Sequence, residues 1–355
     1  MKKIKKALAL GLSLVTALTI FTGCNDEADS GTTNTVPTVT DDTIFLNFNG
    51  TEVPYSVAKF YAYNEQASYE SYYLANGYVI DWNSEYEPTS EDENVPEGAT
   101  IEQLVKEDVL ARIKMFYAVS AYAKENGVTL TDEEYTQINS YISEYLAGNQ
   151  KVVAATGATE EKLKTIYECE MYYNRGCDII FEGVDFGINK EDYRQWHIIA
   201  IELSADIVEF PEDSANGFYN RISNGEKFQD VANAYGYEYI EGNIGEGTLD
   251  NNEFETFCMG LSTGESGVVE IDGIYCVVQC ISDYDEEATD VAYEDELTRL
   301  KSNKLLEFYD EYTKDMTITV DDAVWSTINF STAIFTKDDY EEIVNNLNSE
   351  LSTTN

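Results

Sequence analysis

Between Tyr193 and about Asp285 the hydrophobic rhythm of the chain changes, and this change most limits the folds open to it. Upstream, Leu104, Val109, Leu110, Ile113, Phe116, Val119 and Tyr122 recur near a 3.6-residue period from Ile101 to Asn126, and Gly127 stops the helix. Thr131-Asp132-Glu133-Glu134 is a capping box that opens a second helix through Ile138, Tyr141 and Tyr145. Thr159, followed by Glu160 and Glu161, caps a third running to about Asn174. Downstream, Leu297, Leu300, Leu305, Phe308 and Tyr312 make an amphipathic helix from Tyr293 to Lys314. Inside the block, Trp196 to Leu203 reads as a strand, and Ala215 to Ile222 and Phe228 to Ala234 read as helices split by Ser223-Asn224-Gly225. Glu253 to Leu261 follows as a short helix, and Gly267 to Ile281 as a hairpin turning at Asp272-Gly273. The expectation is an α+β chain in which helical segments flank an inserted α+β domain.

The ends carry different signals. Lys2, Lys3, Lys5 and Lys6 precede an apolar run from Ala7 to Phe21, which is short for a stable membrane span and fits an export signal. The tetrapeptide Phe21-Thr22-Gly23-Cys24 resembles the bacterial lipobox, with Phe21 where an aliphatic residue is usual. The resemblance implies cleavage before Cys24, diacylglycerol on its sulfur and anchorage on the outer face of a cytoplasmic membrane. Residues 25–42 are too polar to bury a core and read as a tether. From Thr43, the alternation of Ile44, Leu46 and Phe48 predicts a short strand before Asn49-Gly50. Phe60, Tyr61, Tyr63, Tyr69, Tyr72 and Tyr73 follow at near-helical spacing and read as core. Glu85 to Ala99 reads as a loop, and Trp325 to Phe335 is apolar enough to be buried.

Charge and cysteine content exclude several classes. A net charge of −45, deeper once the signal lysines are removed, rules out nucleic acid as a partner and repels anionic headgroups, so the lipid on Cys24 must hold the membrane. Of the remaining Cys169, Cys177, Cys258, Cys276 and Cys280, an odd number, none makes a CxxC spacing. With His197 the only histidine, neither a metal site nor a cofactor is expected. The thiols read as small core residues.

Several short pieces of the middle block then fall in a known order. They are His197-Ile198-Ile199, Asn224-Gly225-Glu226-Lys227-Phe228, Glu241-Gly242-Asn243-Ile244-Gly245, Glu253-Phe254-Glu255, Leu261, Gly264-Glu265-Ser266 and Gly273-Ile274-Tyr275. In this order the block resembles the parvulin family of peptidyl-prolyl isomerases, and the whole chain resembles the foldase lipoproteins of Gram-positive bacteria and their periplasmic chaperone cousins. The resemblance implies residues 43–190 as a helical chaperone-like domain, 191–286 as a parvulin-like domain, 287–345 as a helix and apolar segment packing back on the first, and 346–355 as a tail. It also implies a catalytic pair at His197 and Tyr275, the latter standing where the family has a second histidine. A proline seat would form from Ile244, Phe254 and a methionine-like position at Leu249 or Asp250, with Met259 nearby. Gly247 replaces an expected aromatic residue, and Glu238 is only a loose match to the family's acidic position.

The implied chemistry is rotation about an X-Pro amide, whose barrier is roughly 18–20 kcal/mol, for exported polypeptides not yet folded. Two functions follow from this sequence: an extracytoplasmic foldase with isomerase activity, or a holdase chaperone whose parvulin domain has lost its catalytic network. A solute-capturing lipoprotein is disfavoured because no two-lobed α/β repeat is present.

Overall fold

The computed structural model describes residues 39–86, 95–96, 98–249 and 252–339. The signal segment with Cys24, residues 25–38 of the tether, the middle of the 85–99 loop, Asp250 and the 346–355 tail lie outside the described residues. The backbone divides into two compact units. One comprises the described residues up to Val184 together with those from Asn303, and the other those within Asp185–Ser302. The α+β block is thus inserted into a discontinuous helical unit. The boundary expected at residue 286 moves, because the helix Glu286–Thr313 begins in the inserted unit and ends in the helical one.

In the helical unit, β1 (Ile44–Phe48) and β2 (Thr51–Pro54) form a hairpin, and α1 (Tyr55–Ala75) follows directly. Next come α2 (Ile101–Glu125), α3 (Asp132–Ala147), α4 (Gln150–Thr156) and α5 (Glu160–Phe181). The capping box at Thr131 forms as its sequence requires: the hydroxyl accepts from Glu134 N at 3.2 Å and the Glu134 carboxylate from Thr131 N at 2.7 Å. Thr100 and Gln103 do the same for α2. The last residues of the expected tether are already part of this unit, since the Asp41 carboxylate accepts from Lys59 at 3.0 Å and pairs with Lys162. Phe45, Leu46, Val53, Phe60, Tyr61, Val109, Ile113, Ile138 and Leu163 form the core. Tyr72, at the exposed end of the tyrosine stripe, is not part of it.

Helices α2 and α5 meet at Gly176, where a Cβ would stand 2.5 Å from Val119 Cγ1 and 2.7 Å from the Val119 carbonyl oxygen. Backbone cannot yield as a flexible side-chain tip can, so only glycine lets the helices approach this closely. Gly176→Ala is expected to destabilise the helical unit by about 1–3 kcal/mol, read as a lowered melting temperature, and an unchanged melt would contradict this packing.

The inserted unit carries β3 (Trp196–Leu203), α6 (Pro211–Ser223), α7 (Phe228–Tyr235), β4 (Ile240–Ile244), α8 (Asn252–Met259), β5 (Ser266–Ile271), β6 (Ile274–Ser282) and the start of α9 (Glu286–Thr313). Its antiparallel sheet has the order β4-β3-β6-β5. The apolar run of β3 is explained by its central place, since both of its faces are covered. Ile199, Ile201 and Leu203 pack with Phe218, Ile222, Phe228 and Val231 of α6 and α7. Ile198 and Ala200 pack on the other face with Ile244, Phe254 and Cys258. The hairpin turns at Asp272 and Gly273, whose φ values of 51° and 82° suit a type I′ turn. Cys258, Cys276 and Cys280 are buried and free, as core thiols should be.

The chain then returns to the helical unit through β7 (Ile318–Val320), which pairs antiparallel with β1, and the short α10 (Asp322–Trp325). Beyond it Ile328 and Phe330 are buried in the same core, and Ile334 is buried as well. Each such side chain contributes about 1.5–3 kcal/mol by leaving water. Polar anchors fix the strap in register: Lys106 Nζ donates to the Ile328 carbonyl, Gln66 Nε2 to the Thr332 carbonyl at 2.9 Å, and the Ile334 and Phe335 amides to Glu70 Oε2 at 2.8 Å each.

Candidate functional site

His197 stands at the start of β3, opposite Asn243 of β4 and Ser282 of β6. Its Nε2 lies 3.3 Å from Glu241 Oε1 and its Nδ1 3.9 Å from Asp285 Oδ2. Asp285 does several jobs at once. Its Oδ1 caps α9 by accepting from Ala288 N at 3.0 Å, its Oδ2 accepts from Asn243 Nδ2 at 2.9 Å, and its own amide donates to the Gln195 carbonyl at 2.9 Å. The Ala288 amide first, then the Asn243 amide, hold its carboxyl below the ordinary range, with His197 adding to the effect. The imidazole therefore sits in a polar clasp joining the ends of β3, β4 and α9.

Tyr275 does not face it. The ladder pairs Tyr275 with Leu203, while His197 pairs with Ser282 at the other end of the same two strands. Six residues of extended strand, about 20 Å, separate the two positions. The expected pair is therefore not formed, for a simple reason: each residue is second in its own strand, and antiparallel neighbours place their beginnings at opposite ends. What faces Tyr275 on β3 is the apolar Leu203, while Glu270 faces it on β5 and Glu212 of α6 is close enough to act on its phenol.

The four residues expected to seat a proline differ in exposure. Ile244 and Phe254, 3% and 8% exposed, are in the closed core with Ile198, Cys276 and Val278. Leu249 is 46% exposed on the loop before α8, and Met259 is half-buried at the end of that helix. The loop is held by Glu255, 1% exposed, whose carboxylate accepts from Gly247 N at 3.2 Å and from Leu249 N. No role for Glu255 was expected, although a charged residue on the α8 face that also carries buried Phe254 and Cys258 was a signal available in the sequence. Gly245 of the glycine motif lies against the residues that lead into β3, where a Cβ would meet Arg194 O at 2.9 Å. The motif thus serves close packing of the loop. A cleft of about 360 Å³ opens nearby, lined by Asp192, Tyr193, Gln195, Glu246, Gly247, Thr248 and Ala292.

The helical unit has a larger groove, of about 730 Å³, with aromatic walls. Tyr122 of α2 meets Phe308 and Tyr312 of α9 edge-on at 4.9 and 5.6 Å, and Phe308 stacks on Tyr312 at 5.2 Å. The sequence places Tyr122, Phe308 and Tyr312 on amphipathic faces. Their convergence comes from the docking of α9 and was not readable from either helix alone. Among the described residues no helix is long and apolar enough to cross a membrane, and no cluster of His, Cys, Asp or Glu is arranged to hold a metal ion.

No protein-family model matches the chain, and no curated protein matches it. The structural neighbours are PrsA- and SurA-like foldases. They include a peptidylprolyl isomerase, PrsA, from Bacillus anthracis, 17% identical, covering 59% of this chain and 99% of its own, with a TM-score of 0.27. PrsA of Bacillus cereus is 16% identical over 74% of this chain and 99% of its own, with a TM-score of 0.29. A SurA-like chaperone of Campylobacter jejuni is 11% identical over 78% of this chain and 98% of its own, with a TM-score of 0.27. At such identities these neighbours lend no residue role to this chain.

Proposed function

We propose that the chain is an exported, lipid-anchored chaperone of the foldase type, which holds non-native polypeptides and has lost most of its peptidyl-prolyl isomerase activity. The observation that carries this reading is the β3–β6 register, which separates His197 from Tyr275. Lowering the barrier to X-Pro rotation requires preorganised polar groups around the twisted amide and a dry seat for the ring, because only interactions stronger in the transition state speed the step. Here His197 and Tyr275 are apart, and Ile244 and Phe254 of the seat are packed in a closed core. Holding a client makes weaker demands, namely accessible apolar surface near the place where clients emerge. The aromatic groove supports the first, and the sequence signals at Cys24 and in the polar segment after it support the second.

The test of holding is suppression of aggregation. The whole chain, mixed with a reduced and unfolded client, is expected to lower light scattering in proportion to its molar ratio, with His197→Ala performing as well as the parent. Scattering unchanged at equimolar chain would reject the chaperone reading.

A further inference from the structure

We infer that the groove walled by Tyr122, Phe308 and Tyr312 is the client site and that it selects extended segments in which basic residues alternate with apolar ones. This inference rests on the proposed chaperone function and gives it a place and a substrate chemistry. Its floor is rigid: Leu305 and Tyr309, on the opposite side of α9, are buried against Phe48, Met115 and Val119, so α9 is held while Phe308 and Tyr312 remain half-exposed. Aromatic side chains held partly open on a fixed scaffold offer a preformed wall to a ligand. A space of about 730 Å³ takes a few side chains of an extended segment and excludes a folded domain.

The rim decides the charge of the occupant. Glu307 and Glu311, one turn apart on α9, have side chains 70% and 75% exposed, and Asp315 is exposed beyond them. Burial and the Glu125 carboxylate beside it push the Tyr312 phenol up, which places another acid at the wall. Lys304 and Lys314 pair with Glu307 and Glu311, but exposed pairs at this spacing contribute little and open readily. Acids therefore outnumber bases around an aromatic wall, an arrangement that draws Lys and Arg by both ion pairing and cation–π contact. The same rim argues against a second copy of this chain, because an isologous contact would bring acid against acid.

The probes are two short labelled peptides, identical in Leu and Phe content, one with Lys and one with Glu at the alternate positions, titrated into the full chain by fluorescence anisotropy. The Lys peptide is expected to bind about tenfold more tightly than the Glu peptide and to weaken with added salt. Glu307→Lys combined with Glu311→Lys, both on exposed positions, should abolish or reverse that preference. Ile179→Asn should weaken both peptides, since Ile179 lines the groove without belonging to the packed cluster beneath it. Equal affinity for the two peptides, or a preference untouched by the charge reversal in a folded variant, overturns the assignment. If the Lys peptide fails to bind while client aggregation is still suppressed, the groove is the wrong site and the chaperone reading stands. If the Lys preference holds without any suppression, the site stands as a peptide site and the chaperone reading falls.

Discussion

Glu70→Ala is expected to lower the unfolding free energy of the helical unit by about 3 kcal/mol, the largest effect of any single substitution considered. Glu70 is 3% exposed, and four donors converge on its carboxylate: the Ile334 and Phe335 amides at 2.8 Å, Gln66 Nε2 at 2.7 Å and Trp82 Nε1 at 3.4 Å. Truncation leaves two backbone amides without their acceptor, the Ile334 one buried, and frees the strap that seats Phe330 and Ile334. Relief of the desolvated carboxylate offsets part of that loss, which is why the expected value is below the sum of four separate bonds. Glu70→Gln keeps one acceptor oxygen and should cost less than Ala. Urea unfolding followed by tryptophan fluorescence reports the site directly, because Trp82 lies beside the carboxylate and packs on Phe330 at 4.7 Å. A change below about 1 kcal/mol for the Ala variant would show that the strap does not depend on this anchor.

The stability of the same unit is expected to fall as pH rises from 5 to 8, and Glu170 should carry an identifiable share of that fall. Its carboxyl, accepting from Tyr61 Oη at 2.8 Å, is pushed by burial from 4.5 up to about 7, with Tyr61 and Arg112 opposing the rise. The folded state therefore binds a proton more readily than the unfolded one. The stability this confers is complete below about 4.5 and is lost as pH climbs through about 7. A shift of this size is equivalent to ~3 kcal/mol at most, but the residue as a whole is only half-buried, so the expected loss is on the order of 1–2 kcal/mol. Asp108, raised by burial to about 6, acts in the same direction. Mutual repulsion of the many carboxylates adds a general trend of this sign, so the diagnostic quantity is the difference from Glu170→Gln. That variant should show a shallower fall and should gain on the parent at pH 8. Parallel pH profiles for the two would refute the role given to Glu170.

Much of the architecture is legible in the sequence because it is set by local rules. Trp196–Leu203 forms β3 with the expected bounds, since a continuous apolar run of that length suits a strand covered on both faces. The capping box at Thr131 and the cap at Thr159 open their helices because cap chemistry depends only on residues a turn away. β4 was not legible: of Ile240 to Ile244 only Ile244 is buried, so pairing with β3 makes it a strand where composition does not. Helix α9 begins at Glu286, well before the amphipathic pattern at Tyr293, because its first turns are polar and the signal for its start is a single cap at Asp285. The site suffered most. Residue types could be matched to the isomerase pattern one at a time, but catalysis depends on distance across strands, and the placement of His197 and Tyr275 near the beginnings of antiparallel neighbours puts them out of reach of each other. The strap from Trp325 to Phe335 was legible as buried but had no function, and its role as the closing element of the helical core appears only once Glu70, Gln66 and Lys106 are seen to hold it.

We propose that this register leaves the chain without an effective isomerase. The rate of cis-to-trans conversion of a short X-Pro peptide, measured at 25 °C with increasing amounts of the whole chain, tests it most directly. The predicted result is the uncatalysed relaxation, tens of seconds or slower, at every concentration. A rate that rises in proportion to the chain and is lost in His197→Ala would contradict it.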